Sequence, residues 1–151
     1  MRAVVQRVKN AWVVVEGKVV SDISRGILLF VSIEEDDEEK DLSYIAQKVL
    51  NLRIFENDSG KFDKSVLEID GEILVVSQFT LSGDTRKGRR PDFTRALSPD
   101  KSIPLYEDFI KIIKSNYTSE KIQEGVFQAH MDVHLTNDGP VTILLSSKKE
   151  F

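Results

Sequence analysis

The first part of the chain alternates. Val4-Val5 and Val8, then Trp12 to Val15, set apolar and β-branched residues among polar ones, Glu16-Gly17 marks a turn, and Lys18 to Ile23 resumes the pattern. Arg25-Gly26 turns again into Ile27 to Ile33, a nearly continuous apolar run of the kind found in strands buried on both faces. The spacing therefore predicts three strands within 1–33. The period then changes. Leu42, Ile45, Ala46, Val49 and Leu52 recur at helical spacing and predict a helix over roughly 37–52. The six acids Glu34 to Glu39 ahead of it read as a solvated loop and an acidic first turn, which favours the positive end of a helix dipole. Glu56 to Asp63, with Asn57-Asp58-Ser59-Gly60, reads as a loop or a tight hairpin turn, Ile73 to Phe79 as a strand, and Ser82 to Asp100 as a loop. A second helix is expected to start at Pro104, with Leu105, Tyr106, Phe109, Ile110 and Ile113 as its apolar stripe, and a short one near 119–124, ending at Gly125. Phe127, Ala129, Met131, Val133 and Leu135 alternate with Gln128, His130, Asp132 and His134, as in a strand with one buried face. Asn137-Asp138-Gly139-Pro140 breaks this run, and Val141 to Leu145 reads as a last strand.

The order β-β-β-α-β-α-β-β is not the regular alternation of a parallel α/β sheet. It predicts an α/β protein of the α+β kind, with a mixed, mostly antiparallel, barrel-like sheet packed by helices. No repeat or linker interrupts the chain, and 151 residues suit one domain spanning 1–151. Apolar residues make up 40% and charged residues 30%, enough for a core and a soluble surface. No apolar run approaches the ~18 residues of a membrane span, and Met1 to Lys9 alternates as a strand does rather than forming a signal peptide. The chain has no cysteine, which removes disulfides, thiolate nucleophiles and zinc–thiolate sites and fits a reducing cytoplasm.

Three segments are candidates for chemistry. Ser77-Gln78-Phe79-Thr80-Leu81 ends an apolar strand in polar groups, where a sheet holds backbone N–H groups rigidly beside a loop that can admit a substrate. Its plainer reading is a polar strand terminus. Asn137 to Thr142 contains Gly139-Pro140, by composition a turn. Glycine allows close approach and proline lacks an N–H, so the pair can also present bare carbonyl groups to a ligand, and an X-Pro bond is the common place for a cis peptide. Asp84 to Arg95 holds five basic and two acidic residues, a local charge of +3 in a chain of −4. It is either a solvated loop or a phosphate contact through Arg86, Lys87, Arg89 and Arg90. His130, Asp132 and His134 lie two apart along the predicted strand, but a metal would need ligands from elsewhere, so no metal and no cofactor are expected. Ser77 lacks a glycine elbow, and neither histidine has an evident carboxylate orienter, so a serine triad is not supported. Phe127, Ala129 and Met131 read as core or as the lining of a pocket beside the motifs.

Taken together, these segments resemble the D-aminoacyl-tRNA deacylases. The resemblance rests on Ser77-Gln78-Phe79-Thr80-Leu81, Asn137-Asp138-Gly139-Pro140-Val141-Thr142, the opening Met1-Arg2-Ala3-Val4-Val5-Gln6-Arg7-Val8 and the basic Asp84 to Arg95 stretch, in the family's order over essentially the whole chain. It implies a homodimer with two active sites at the subunit interface. It also implies a cis Gly139-Pro140 that reaches into the partner's pocket as a chiral filter, held in place by Arg7. Ser77, Gln78, Phe79 and Thr80 would form the catalytic segment, and Phe127, Ala129, Met131 and Asn137 the substrate pocket. The substrate would be the 3′ end of aminoacylated tRNA, with D-residues removed as translational proofreading. Because glycine has no side chain to reject, glycyl-tRNA is expected as a second substrate. Gln128 departs from the family, many of whose members have glycine after the phenylalanine. An editing domain related to that of threonyl-tRNA synthetases and a non-catalytic RNA-binding module are the alternatives.

Overall fold

The computed structural model describes residues 1–151. Its strands are β1 (Arg2–Val15), β2 (Lys18–Ile23), β3 (Gly26–Ser32), β4 (Phe55–Glu56), β5 (Phe62–Lys64), β6 (Glu72–Ser77), β7 (Ile122–Glu124) and β8 (Asp132–Ser146). Two α-helices, α1 (Glu39–Asn51) and α2 (Pro99–Asn116), and two short 3-10 turns, Phe79–Ser82 and Ser119–Lys121, complete the chain. No helix is long and apolar enough to cross a membrane.

β1 organises the sheet. One edge pairs antiparallel with β3 over Arg2–Val8 and then with β2 over Ala11–Val15. The other pairs antiparallel with β8 from Arg2 to Val14. β6 joins β3 in parallel and β7 joins β6 in parallel. The result is the mixed, mostly antiparallel, barrel-like sheet expected from the element order. β3 is continuous in apolar residues because both its faces are covered. Ile27, Leu29 and Val31 join Ile73, Val75 and the apolar stripes of α1 and α2 in the larger core. Leu28 joins Leu74, Val76, Val8, Ala11, Val13 and Ile23 in a smaller core on the opposite face. Truncating a fully buried side chain such as Leu28 or Leu42 to alanine would cost about 2–5 kcal/mol.

Several elements depart from the expectation, each for a physical reason. α2 begins at Pro99, not Pro104. Pro99 lies in the first turn, where a missing N–H costs nothing, and Pro104 is carried inside the helix. The predicted helix near 119–124 is a single 3-10 turn, after which Ile122 to Glu124 pair with Ile73 to Val75, so sheet pairing overrides local helical preference. The alternating run from Phe127 becomes a strand only at Asp132. Before that the chain turns, with the Ala129 N–H bonded to the Val126 carbonyl at 3.2 Å and Gln128 at φ 64°. Left-handed backbone there favours glycine, the residue that many members of the resembled family carry at this position, and Gln128 adopts it at the cost of some backbone strain. Asn137 to Val141 do not separate two strands. They form a bulge within the one long β8.

The acidic run is solvated only in part. Glu35, Asp36, Glu38 and Glu39 are exposed, and Glu39 lies in the first turn of α1 as expected, but Glu34 and Asp37 are buried, as is Asp41 beyond the run. The Met1 ammonium bonds to Asp37 and to Ser147 Oγ, Arg2 Nε lies 3.3 Å from Glu34, Arg95 Nη2 3.2 Å from Glu34, and Lys148 Nζ 3.1 Å from Asp41. These cations arrive from both ends of the chain and from residue 95, so no local pattern announces them. Glu34, Asp36 and Asp37 bring oxygens within 4.8 Å of one another, but the ammonium and guanidinium groups already supply their counter-charge.

Candidate active site

β6 ends at Ser77, and the Gln78 N–H completes the parallel ladder by bonding to the Val31 carbonyl at 2.7 Å. The chain then tightens into the 3-10 turn Phe79–Ser82. This turn is fastened from β3: the Ser32 hydroxyl donates to the Phe79 carbonyl at 3.3 Å and lies 2.7 Å from Ser82 Oγ. The polar strand end is therefore held rigidly at the mouth of a cavity of about 560 Å³. Ser77, Gln78, Phe79 and Thr80 line one wall, and Phe127, Ala129 and Met131 another. Seven of the residues singled out from sequence are thus brought together.

The rest of the lining was not foreseen. Phe93, Leu97, Pro99, Ser102 and Tyr106 close the cavity from the loop before α2 and from the helix itself. Phe93 packs edge-on to Phe79 at 5.2 Å, and Tyr106 tilts against Phe127 at 5.3 Å. An isolated phenylalanine in an otherwise basic loop was the available signal. Burial pushes the Tyr106 hydroxyl well above its usual range, with the Glu124 carboxylate adding to it, so Tyr106 stays neutral as a wall residue.

The polar equipment is spare. Gln78 Nε2 lies 2.7 Å from Thr80 Oγ1, so the Thr80 hydroxyl is held by an amide and not by a base. His130 sits at the rim with its side chain 96% exposed, and its Nε2 is 3.8 Å from Asp132. His134 instead stacks on Trp12 at 4.7 Å, so the histidine–aspartate–histidine row does not converge on a metal. The cavity therefore offers no activated side-chain nucleophile. In the first turn of a helix the N–H groups lack intrahelical acceptors, so the amides of Phe79 and Thr80 remain as donors at the wall.

A second cluster forms at the β1–β8 bulge. Val8 pairs with Asn137 and Gln6 with Thr142, so Asp138 to Val141 loop out opposite Arg7 alone. Asn137 closes the loop. Its Oδ1 accepts the Val141 N–H at 2.7 Å and its Nδ2 donates to Thr142 Oγ1 at 3.0 Å. Buried Arg7 braces it from below, donating from Nε to the Asp138 carbonyl and from Nη1 to the Ile54 carbonyl, both at 2.8 Å. Charge-assisted bonds of this kind hold geometry firmly. The Gly139-Pro140 bond is cis, Gly139 has φ 143°, and both residues are exposed. Within one chain neither Gly139, Pro140, Arg7 nor Asn137 lines the cavity. Asn137, expected in the pocket, is instead the clasp of the bulge.

The basic residues form a third group. Asp84 and Asp92 exchange backbone hydrogen bonds at 2.7 and 2.9 Å, pinching the loop into a hairpin whose tip carries Lys87, Arg89 and Arg90, all exposed. Arg86 is turned back onto Asp84 and holds that carboxyl well below its usual range.

The fold thus presents a rigid strand end at an aromatic-walled cavity and, apart from it, a glycine–proline bulge braced by Arg7. The chain belongs to the D-Tyr-tRNA(Tyr) deacylase family, whose model matches residues 4–146. It is similar to the D-aminoacyl-tRNA deacylases of Thermotoga petrophila, at 56% identity over 151 residues, and Thermosipho africanus, at 54% over 151 residues, with full coverage of both chains in each case. Among solved structures it is similar to one described as c-Myc DNA Unwinding Element Binding Protein, at 46% identity and a TM-score of 0.94, covering 97% of this chain and 98% of that one.

Proposed function

We propose that this chain is a D-aminoacyl-tRNA deacylase that hydrolyses the ester between a D-amino acid and the terminal ribose of tRNA, in the cytoplasm, as chiral proofreading. Family membership supports the activity class. The observation that carries the site assignment is the cavity itself, in which the Ser77 to Thr80 segment lies at a fixed strand end with no base against any hydroxyl. Water adds to the ester carbonyl, the acyl C–O bond breaks, and the ribose oxygen leaves with a proton. The amides of Phe79 and Thr80 stabilise the oxyanion, Gln78 and Thr80 order the substrate end, and the neighbouring ribose hydroxyl assists.

Selectivity for D-residues comes from exclusion. Added contacts discriminate by about 1–3 kcal/mol, whereas a fixed wall of carbonyl groups rejects the L side chain outright. We assign that wall to Gly139 and Pro140 of a second copy of the chain. Support comes from their exposure on β8, outside their own cavity, and from the bracing by Arg7, which fixes the carbonyl just before Gly139. The same reading makes glycyl-tRNA a second substrate and the Lys87, Arg89 and Arg90 tip, with Arg86, a tRNA contact.

Paired release of radiolabelled D-tyrosine and L-tyrosine from charged tRNA tests the proposal. Selective release of the D form is expected. Binding without release would replace the reading with a non-catalytic nucleic-acid module, the alternative that the basic loop favours.

A further inference from the structure

A second cleft, of about 300 Å³, opens beside the cavity and is lined mostly by polar residues: Arg2, Arg86, Arg95, Glu150 and the segment 82–85, with Phe151 as its one apolar wall. A single layer of side chains separates it from the cavity. Ser82 in the cleft touches Ser32 in the cavity wall, and a methyl group on Gly83 in the cleft would stand 2.9 Å from the cavity's Phe93 ring. The cleft also adjoins the basic hairpin through Arg86.

Its charge is unevenly anchored. Glu34 neutralises Arg2 and Arg95 from below, buried and fixed by the pairing of its segment with Ala96. Asp84 neutralises Arg86. The remaining acid, Glu150, follows the end of β8, outside any helix or strand. Its carboxylate lies between two guanidinium groups, with Arg2 Nη2 at 3.0 Å and Nε at 3.2 Å from Oε2 and Arg95 Nη2 at 2.8 Å from Oε1. Arg2 thus grips one carboxylate oxygen with two nitrogens, joined there by the Ser146 hydroxyl at 3.4 Å, and Arg95 grips the other with one, a charge-assisted arrangement that also suits a phosphate.

We propose that this cleft binds a backbone phosphate of the RNA strand whose terminal adenosine enters the cavity, and that the Glu150 carboxylate holds the phosphate's place until the strand displaces it. The inference rests on the deacylase reading of the cavity. It gives the single-stranded end of the substrate a second point of attachment beside the cavity. Glu150 raises the cost of binding any RNA that cannot also fill the cavity.

The test uses the whole protein, the RNA trinucleotide CCA and phosphate-free adenosine, with affinity followed by fluorescence anisotropy and competition. Because a site occupied by its own carboxylate is competent only for the fraction of time it is open, Glu150→Gln should tighten CCA binding by about three- to tenfold. The salt dependence should steepen by about 0.7 in log–log slope, since one more phosphate is then neutralised without release of a protein acid. Adenosine should bind both proteins equally, and the gain should disappear on an Arg95→Gln background whose fold is checked by thermal melting. Unchanged or weaker CCA binding by Glu150→Gln would overturn the proposal. So would an equal gain for adenosine, or displacement of CCA by inorganic phosphate at the same concentration. Deacylation of D-tyrosyl-tRNA by the wild-type protein is measured alongside. Its absence would sink the deacylase reading, whereas normal turnover with an unresponsive Glu150 would sink only the phosphate cleft.

Discussion

Replacing Gly139 by alanine separates an ordinary bulge from a functional one. Gly139 has φ 143°, a backbone region that residues with a Cβ avoid at a cost of about 1–3 kcal/mol. The new methyl would stand 2.7 Å from Val141 Cγ2, 3.0 Å from the Val141 nitrogen and 3.2 Å from Arg7 Nη2. Val141 is buried, and its N–H is the one clasped by Asn137, so relief requires moving the clasp or the Arg7 brace. Overpacking of this kind costs about 1–3 kcal/mol more. The sum, roughly 2–6 kcal/mol, lies at or below the low end of the stability of most domains, about 5–15 kcal/mol, and predicts a folded protein whose melting temperature falls by roughly 4–24 °C. Gly17→Ala provides the matched control. It sits at φ 76° with nothing within 4 Å of the added methyl, so it carries backbone strain of about 1–2 kcal/mol and no clash. Calorimetry and circular dichroism should find both variants folded. D-tyrosyl-tRNA hydrolysis should fall at least about a hundredfold in Gly139→Ala, equivalent to about 2.7 kcal/mol, and remain at the wild-type level in Gly17→Ala. A folded Gly139→Ala protein with near-normal rate and unchanged D/L selectivity would reduce the bulge to a structural turn.

Further outcomes follow from the same geometry. If a partner completes each cavity, activity should track the dimer in gel filtration with light scattering, and a fully active monomer would refute it. Thr80→Ala should retain measurable deacylation while tRNA ending in 2′-deoxyadenosine reacts far more slowly; an acyl-enzyme trapped on Thr80 would reverse this assignment. Alanine at Arg86, Lys87, Arg89 and Arg90 should raise KM for charged tRNA and lower the salt slope by up to about 0.7–0.9 per lost phosphate contact, with Arg86 contributing least because Asp84 already engages it. Burial alone would raise the Asp41 carboxyl, but the Glu38 N–H, Ser147 and Lys148 outweigh it and hold the group at about 2, below its ordinary 3.8. Because the folded value is depressed, its stabilisation, on the order of 2 kcal/mol, is present above pH 4 and lost as pH falls through 2. Denaturation of wild type and Asp41→Asn should differ at neutral pH and converge near pH 2, and a constant gap would refute the linkage.

Periodicity alone determined most of the secondary structure. Alternation in β1 and the unbroken apolar run of β3 report how many faces of each strand are covered, and the stripe of α1 reports one buried side, because burial acts residue by residue along a regular backbone. The two glycine–proline and strand-end motifs were equally visible, since their chemistry resides in adjacent residues. Tertiary structure decided the rest. Ile122 to Glu124 became a strand because β6 offered them an edge, and Phe127 to Met131 left the sheet although their alternation continues. Glu34, Asp37 and Asp41 went inside because Met1, Arg2, Arg95 and Lys148 converge on them from distant positions. The cavity acquired Phe93 and Tyr106 from a loop and a helix whose own patterns show only packing. Sequence records what each residue prefers within a few neighbours of itself. Which charges meet, and which walls face one another, is set by contacts between segments dozens of residues apart, and only the folded chain brings those together.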